Sequence, residues 1–154
     1  MTTKDDNIAQ LETAYSEFRA RIAGLPAEAY AEEWLGEWNL SELLAHMSGW
    51  FQAMATGLER VGRGERPVPE GTDYSDADAW NATFAANVQP GPASLDGWDA
   101  AFRAYAEAAG ALPDDLFGEK DGRPRIASRL LDGAGIHHFG EHRPQVDAWL
   151  AARR

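Results

Sequence analysis

The chain has 154 residues, with 14 Lys and Arg against 25 Asp and Glu, a formal net charge of −11, and no cysteine. That length suits one domain over residues 1–154. The counts exclude disulfide frameworks, Cys-ligated zinc and cysteine nucleophiles, and they disfavour nucleic acid and anionic lipid as partners.

Ile8, Leu11, Tyr15, Phe18, Ile22 and Leu25 recur at steps of three and four, which predicts a first helix ended by Gly24 and Pro26. A second helix is predicted from Asn39 to about Val61. Asn39 caps it, and Glu42 stands three residues on, as a capping box requires. Trp38 precedes the cap and is placed to staple onto Leu43. The apolar stripe is Leu40, Leu43, Leu44, Met47, Phe51, Met54 and Leu58, stopped by Gly62-Arg63-Gly64.

Residues 63–72 hold Gly64, Pro67, Pro69 and Gly71 and read as a loop. A shorter helix follows over 74–88, broken by Pro90-Gly91-Pro92. Ser94 is read as the cap of a third main helix carrying Leu95, Trp98, Phe102, Tyr105, Ala109 and Leu112. A second loop over 113–125 leads to the last helix, about Ile126 to Ala152, with Leu131, His138, His142, Val146 and Trp149 inward. No alternating pattern marks a sheet, so the fold class is all-α: a four-helix bundle with a long crossover between the second and third main helices.

Four histidines occur, and three fall on or beside inward stripes. His138 and His142 stand four apart, on one helix face about a turn from each other. His46 edges the stripe of the second helix. Two imidazoles from one helix and one from a facing helix suit a bundle-core metal site for Zn, Ni or Fe. The competing reading makes them satisfied core histidines. His137 points about 100° away from the pair. Gly133, Gly135, Gly140 and Pro144 interrupt the last helix, which predicts a kink or close packing beside the histidines, for example against Trp50. Arg143 and Gln145 follow His142 closely and serve substrate binding, ligand orientation or a structural ion pair.

Four stretches carry a family resemblance. His138-Phe139-Gly140-Glu141-His142-Arg143-Pro144-Gln145-Val146 resembles the His-x3-His-Arg-x-Gln-Ile signature of the DinB-like superfamily. Leu43-Leu44-Ala45-His46-Met47-Ser48-Gly49-Trp50 is similar to its second-helix motif, a His followed four residues later by Trp. Asp78-Ala79-Trp80-Asn81 resembles a stretch of the ClbS/DfsB-like and mycothiol-dependent maleylpyruvate isomerase-like branches, and the loop Leu112 to Phe117 fits too. Pro144 departs from the family, which usually has Gly there.

The resemblance implies a DinB/YfiT-like bundle, often a homodimer, with His46, His138 and His142 as a metal triad and Trp50, Arg143 and Gln145 around it. It also implies a divalent metal cofactor and a small-molecule substrate. The expected function is a metal-dependent enzyme acting on a small electrophile. One version transfers a low-molecular-weight thiol such as mycothiol, bacillithiol or glutathione, which must come from outside a chain without cysteine. The other hydrolyses a reactive metabolite with metal-activated water. The alternative is a non-catalytic bundle of ClbS/DfsB-like type that sequesters small molecules under stress, its histidines structural. An anionic thiol would need a cation beside the site, and Arg143 is the nearest in sequence. The start of the chain, Met1 to Asp6, lacks the apolar segment of a signal peptide, and no run of about 18 apolar residues occurs. The expected location is cytoplasmic.

Overall fold

A computed structural model describes residues 2–153. Helix α1 (Thr3–Ile22) begins at a capping box: the Thr2 hydroxyl accepts from the Asp5 N–H at 3.1 Å, and the Asp5 carboxylate accepts from the Thr2 N–H at 3.2 Å. Leu11, Phe18 and Ile22 turn inward and are fully buried. A 3₁₀ turn (Ala27–Ala31) then leads toward α2 (Leu40–Gly62). The cap predicted for α2 is present: Asn39 Oδ1 accepts from the Glu42 N–H at 2.9 Å, and the Glu42 carboxylate accepts from the Asn39 N–H at 3.1 Å. Such a cap contributes about 1 kcal/mol and also fixes where the helix starts. That start sets the phase of the stripe, so Leu40, Leu43, Leu44, Met47, Phe51 and Leu58 are buried with His46 among them.

The crossover carries α3 (Ala77–Ala86), shorter than the predicted 74–88 because the Asp76 side chain caps it, accepting from the Ala79 N–H at 3.1 Å. Phe84 seats α3 on α2 against the bare face of Gly49, where a Cβ would overlap the Phe84 ring. Helix α4 (Ala93–Gly110) starts one residue before Ser94, so Ser94 is not its cap. Its hydroxyl donates to the Gly91 carbonyl at 2.7 Å and meets the Ser41 hydroxyl at 3.3 Å. The loop after α4 contains a 3₁₀ turn (Asp114–Leu116) and a minimal hairpin, β1 (Glu119–Lys120) and β2 (Arg123–Pro124), which the sequence pattern did not predict. Its turn residues Asp121 and Gly122 both have positive φ, 54° and 77°, as a tight hairpin needs.

The last helical rod is not one regular helix. It comprises α5 (Ile126–Leu131), a π-helical segment (Asp132–Ile136) and α6 (His137–Ala152). The helix runs unbroken through Pro144, so the irregularity sits one turn ahead of the histidines and not at the proline. Gly133 and Gly135, poor α-helix formers, both lie in the π segment. Gly135 is the close-packed one. A Cβ there would lie 2.6 Å from Leu11 Cδ1 of α1 and 2.7 Å from the Tyr105 hydroxyl of α4, so its neighbours are those residues and not Trp50. Tyr105 in turn donates to the Leu130 carbonyl at 2.5 Å, tying α4 to α5.

Helices α1, α2, α4 and the α5–α6 rod form the four-helix bundle, with α3 in the crossover between α2 and α4. Its centre is aromatic: Phe51, Phe102, Trp98, Phe18 and Phe139 meet with ring centroids 5.5 to 6.4 Å apart. At its edge Tyr15 and Arg19 of α1 converge on Asp99 of α4. Tyr15 donates at 2.5 Å, and the Arg19 guanidinium forks onto both carboxylate oxygens at 2.9 Å. Burial alone would raise the Asp99 carboxyl, but these donors hold it below the usual carboxylate range. Among the described residues, no helix is long and apolar enough to cross a membrane.

Candidate metal centre

Phe139 enters the aromatic core, and that anchor turns its neighbour His138 toward α2. His142, one turn later, shares the face. His46 comes from α2, two turns after the Asn39 cap. The three side chains are only 3%, 7% and 7% exposed for His46, His138 and His142. Their ring centroids are 4.8 Å apart for His46 and His138, 5.4 Å for His46 and His142, and 4.7 Å for His138 and His142. One nitrogen from each ring lies within 4.8 Å of the others. His137 is exposed and points away.

Electrostatics favour neutral rings at His46 and His138. Burial pushes His46 down to about 4, repulsion from His142 adds to this, and the Leu43 carbonyl and Asn81 oppose it. Burial likewise pushes His138 down to about 3, helped by repulsion from His46 and His142. A neutral imidazole keeps a lone pair for a cation at pH 7. The His46 Nδ1 is buried and lacks a well-formed hydrogen bond, as do the Nε1 atoms of Trp34 and Trp98. Three buried imidazoles, each with a ring nitrogen within 4.8 Å of the others, fit a divalent cation of the Zn, Ni or Fe type.

Gln145 supports this arrangement. Its Oε1 lies 2.7 Å from His142 Nδ1. An amide oxygen only accepts, so Nδ1 carries the proton and Nε2 is left as the donor atom toward the cluster. Gln145→Leu removes that constraint. It is expected to weaken divalent-metal affinity by about 10–100-fold, read by competition with a chromophoric chelator, with circular dichroism unchanged.

The cluster forms one wall of an open cavity of about 500 Å³. Trp38, Trp50 and Met54 line it beside the histidines, as do Ala77 and Asn81 of α3, Arg129, Gly133, Ala134 and Glu141. Trp38 stands 5.0 Å from the His46 ring and lines the cavity. Trp50 donates from Nε1 to Asn81 Oδ1 at 2.6 Å, which ties α3 over the cavity. Trp34 instead stacks on Trp149 at 4.6 Å, and Trp98 is core. Arg143 is turned away: its guanidinium pairs with Glu17 of α1 at 2.5 Å and is absent from the cavity wall. The cation that does line the cavity is Arg129. A smaller cavity of about 230 Å³ lies between α2, α3 and α4 around Ser48, Gln52 and Asn87, away from the histidines.

No protein-family model matches the chain, and no curated protein matches it in sequence. Solved structures do match. A Streptococcus pneumoniae protein superposes with a TM-score of 0.78 at 12% identity, over 96% of this chain and 90% of its own. An uncharacterized protein from Clostridium difficile 630 gives 0.77 at 12% identity, over 96% and 95%. A mycothiol-dependent maleylpyruvate isomerase gives 0.72 at 15% identity, over 95% of this chain and 63% of its own. At such identities the likeness defines the fold alone: an all-α four-helix bundle.

Proposed function

We propose that the protein is a metal-dependent enzyme that acts on a small electrophile, with His46, His138 and His142 as the metal ligands. The observation that carries this is the convergence of three buried imidazole nitrogens, within 4.8 Å of one another, on the wall of an open cavity. A divalent cation held by three nitrogens keeps positions open for a thiol or water and makes either more acidic.

The chain's own residues supply the rest. Trp38 and Trp50 offer apolar faces that exclude water from one side of a substrate. Asn81 spends its carbonyl on Trp50 and keeps its N–H groups for the cavity. Glu141, between the two histidines in sequence and on the same wall, is, among the described residues, the carboxylate placed to accept a proton there. The likeness to a mycothiol-dependent isomerase supports a thiol as co-substrate, and the absence of cysteine requires that thiol to be a separate small molecule.

The test is consumption of a small electrophile such as monobromobimane by the metal-loaded protein, with mycothiol, bacillithiol or glutathione each added in turn. Thiol-dependent turnover that disappears in His46→Ala supports the reading. Turnover indifferent to all three thiols shifts it to hydrolysis. A wild-type protein that binds no metal and turns nothing over refutes both and leaves a sequestering bundle.

A further inference from the structure

Arg129 stands out among the basic residues. Six of the described arginines are in ion pairs, and Arg60 and Arg125 donate to backbone carbonyls. Among the described residues Arg129, like Arg66 and Arg123, has no such acceptor, but of these three it alone lines the histidine cavity. The chain carries a net charge of −11, so a free guanidinium held on a cavity wall is not part of a general basic surface. The cavity's other charged group is Glu141, which makes no ion pair with Arg129 among the described residues.

The backbone explains how Arg129 reaches the site. It lies nine positions before His138, which in an unbroken α-helix places it roughly 180° away, on the far face. The π segment between them adds about one residue to a turn and swings the preceding face round by roughly 100°. The irregularity therefore brings a cation to the cavity that holds the histidines.

We propose that Arg129 is a specificity-determining residue that binds a carboxylate on the substrate, whose apolar body lies against Trp38 and Trp50. The geometry points to a small apolar carboxylic acid as the substrate class, and this rests on the cavity being the substrate site. The guanidinium fork matches a carboxylate bidentately, while the Trp faces and Met54 accept apolar surface. Glu141 on the same wall works against a second negative group near it.

The test compares benzoate with benzamide, which have nearly the same shape and differ in charge. Binding is read from tryptophan fluorescence, since Trp38 and Trp50 line the cavity. Wild type is expected to bind benzoate saturably and at least about tenfold more tightly than benzamide. Arg129→Gln is expected to bring benzoate down to the benzamide level, and Arg129→Lys to recover part of the difference. Arg129 is exposed, so these variants leave the core intact. Equal binding of the two probes by wild type, no saturable benzoate binding, or an unchanged benzoate affinity in Arg129→Gln would each overturn the proposal. Metal content measured on the same samples separates the two readings. Benzoate selection through Arg129 without bound metal removes the metal centre and keeps this site. Full metal content with Arg129-independent binding removes this site alone.

Discussion

His138→Ala is expected to take the protein, purified without added metal, from stoichiometric divalent metal to trace levels. His138 is the central donor: its ring lies within 4.8 Å of both other imidazoles. Removing a partner that merely orients a ligand costs about 10–100-fold in affinity, and removing a ligand outright costs more. His142→Ala and His46→Ala are expected to behave alike, whereas His137→Ala, one residue away and exposed, is expected to keep full metal content. Elemental analysis by inductively coupled plasma mass spectrometry measures this directly, with circular dichroism to show that each variant folds. Metal retained by all three core variants would mean that the ion sits elsewhere.

Gly135→Ala is expected to destabilise the fold by about 1–3 kcal/mol, the usual cost of forcing extra volume into a packed core. A methyl group there meets Leu11 and Tyr105 at 2.6 and 2.7 Å, one from each of two other helices. Neither moves cheaply. Leu11 is fully buried, and the Tyr105 hydroxyl is already committed to the Leu130 carbonyl. Gly140→Ala supplies the contrast. No atom lies within 4 Å of a Cβ at that position, so the change is expected to be neutral or to stabilise by up to about 1 kcal/mol through helix propensity. Urea denaturation of the two variants measures the difference, and equal midpoints would show that the π segment packs less tightly than described.

Much of the bundle was legible because its signals are local. Asn39 and Glu42 form their capping box within one turn, and the phase they set carries His46 inward without help from distant contacts. The i, i+4 spacing of His138 and His142 is likewise a property of a single helix. What was not legible depends on contacts between segments or on broken regularity. Ser94 looks like a cap in sequence, yet the backbone of Pro92 begins the helix earlier. Arg143 adjoins His142 in sequence, but one residue on a helix is about 100° of rotation, and that rotation aims it at Glu17. Arg129 was hidden for the opposite reason, because regular periodicity puts it on the wrong face and only the π segment corrects the phase. Two glycines two apart, Gly133 and Gly135, were the available signal. They marked the place but not the kind of irregularity.

The division of the histidines between α2 and α6 has a thermodynamic consequence. One donor precedes the crossover and two follow it, so an ion bound to all three acts as a removable staple between distant parts of the chain. The unfolded chain would have to close a long loop to offer the same three donors, and the ion therefore favours the native state almost exclusively. By mass action, free metal at about 100 times its dissociation constant would add about 2.7 kcal/mol to the unfolding free energy. For a bundle whose core is otherwise sealed by aromatic packing, thermal stability would then report metal supply.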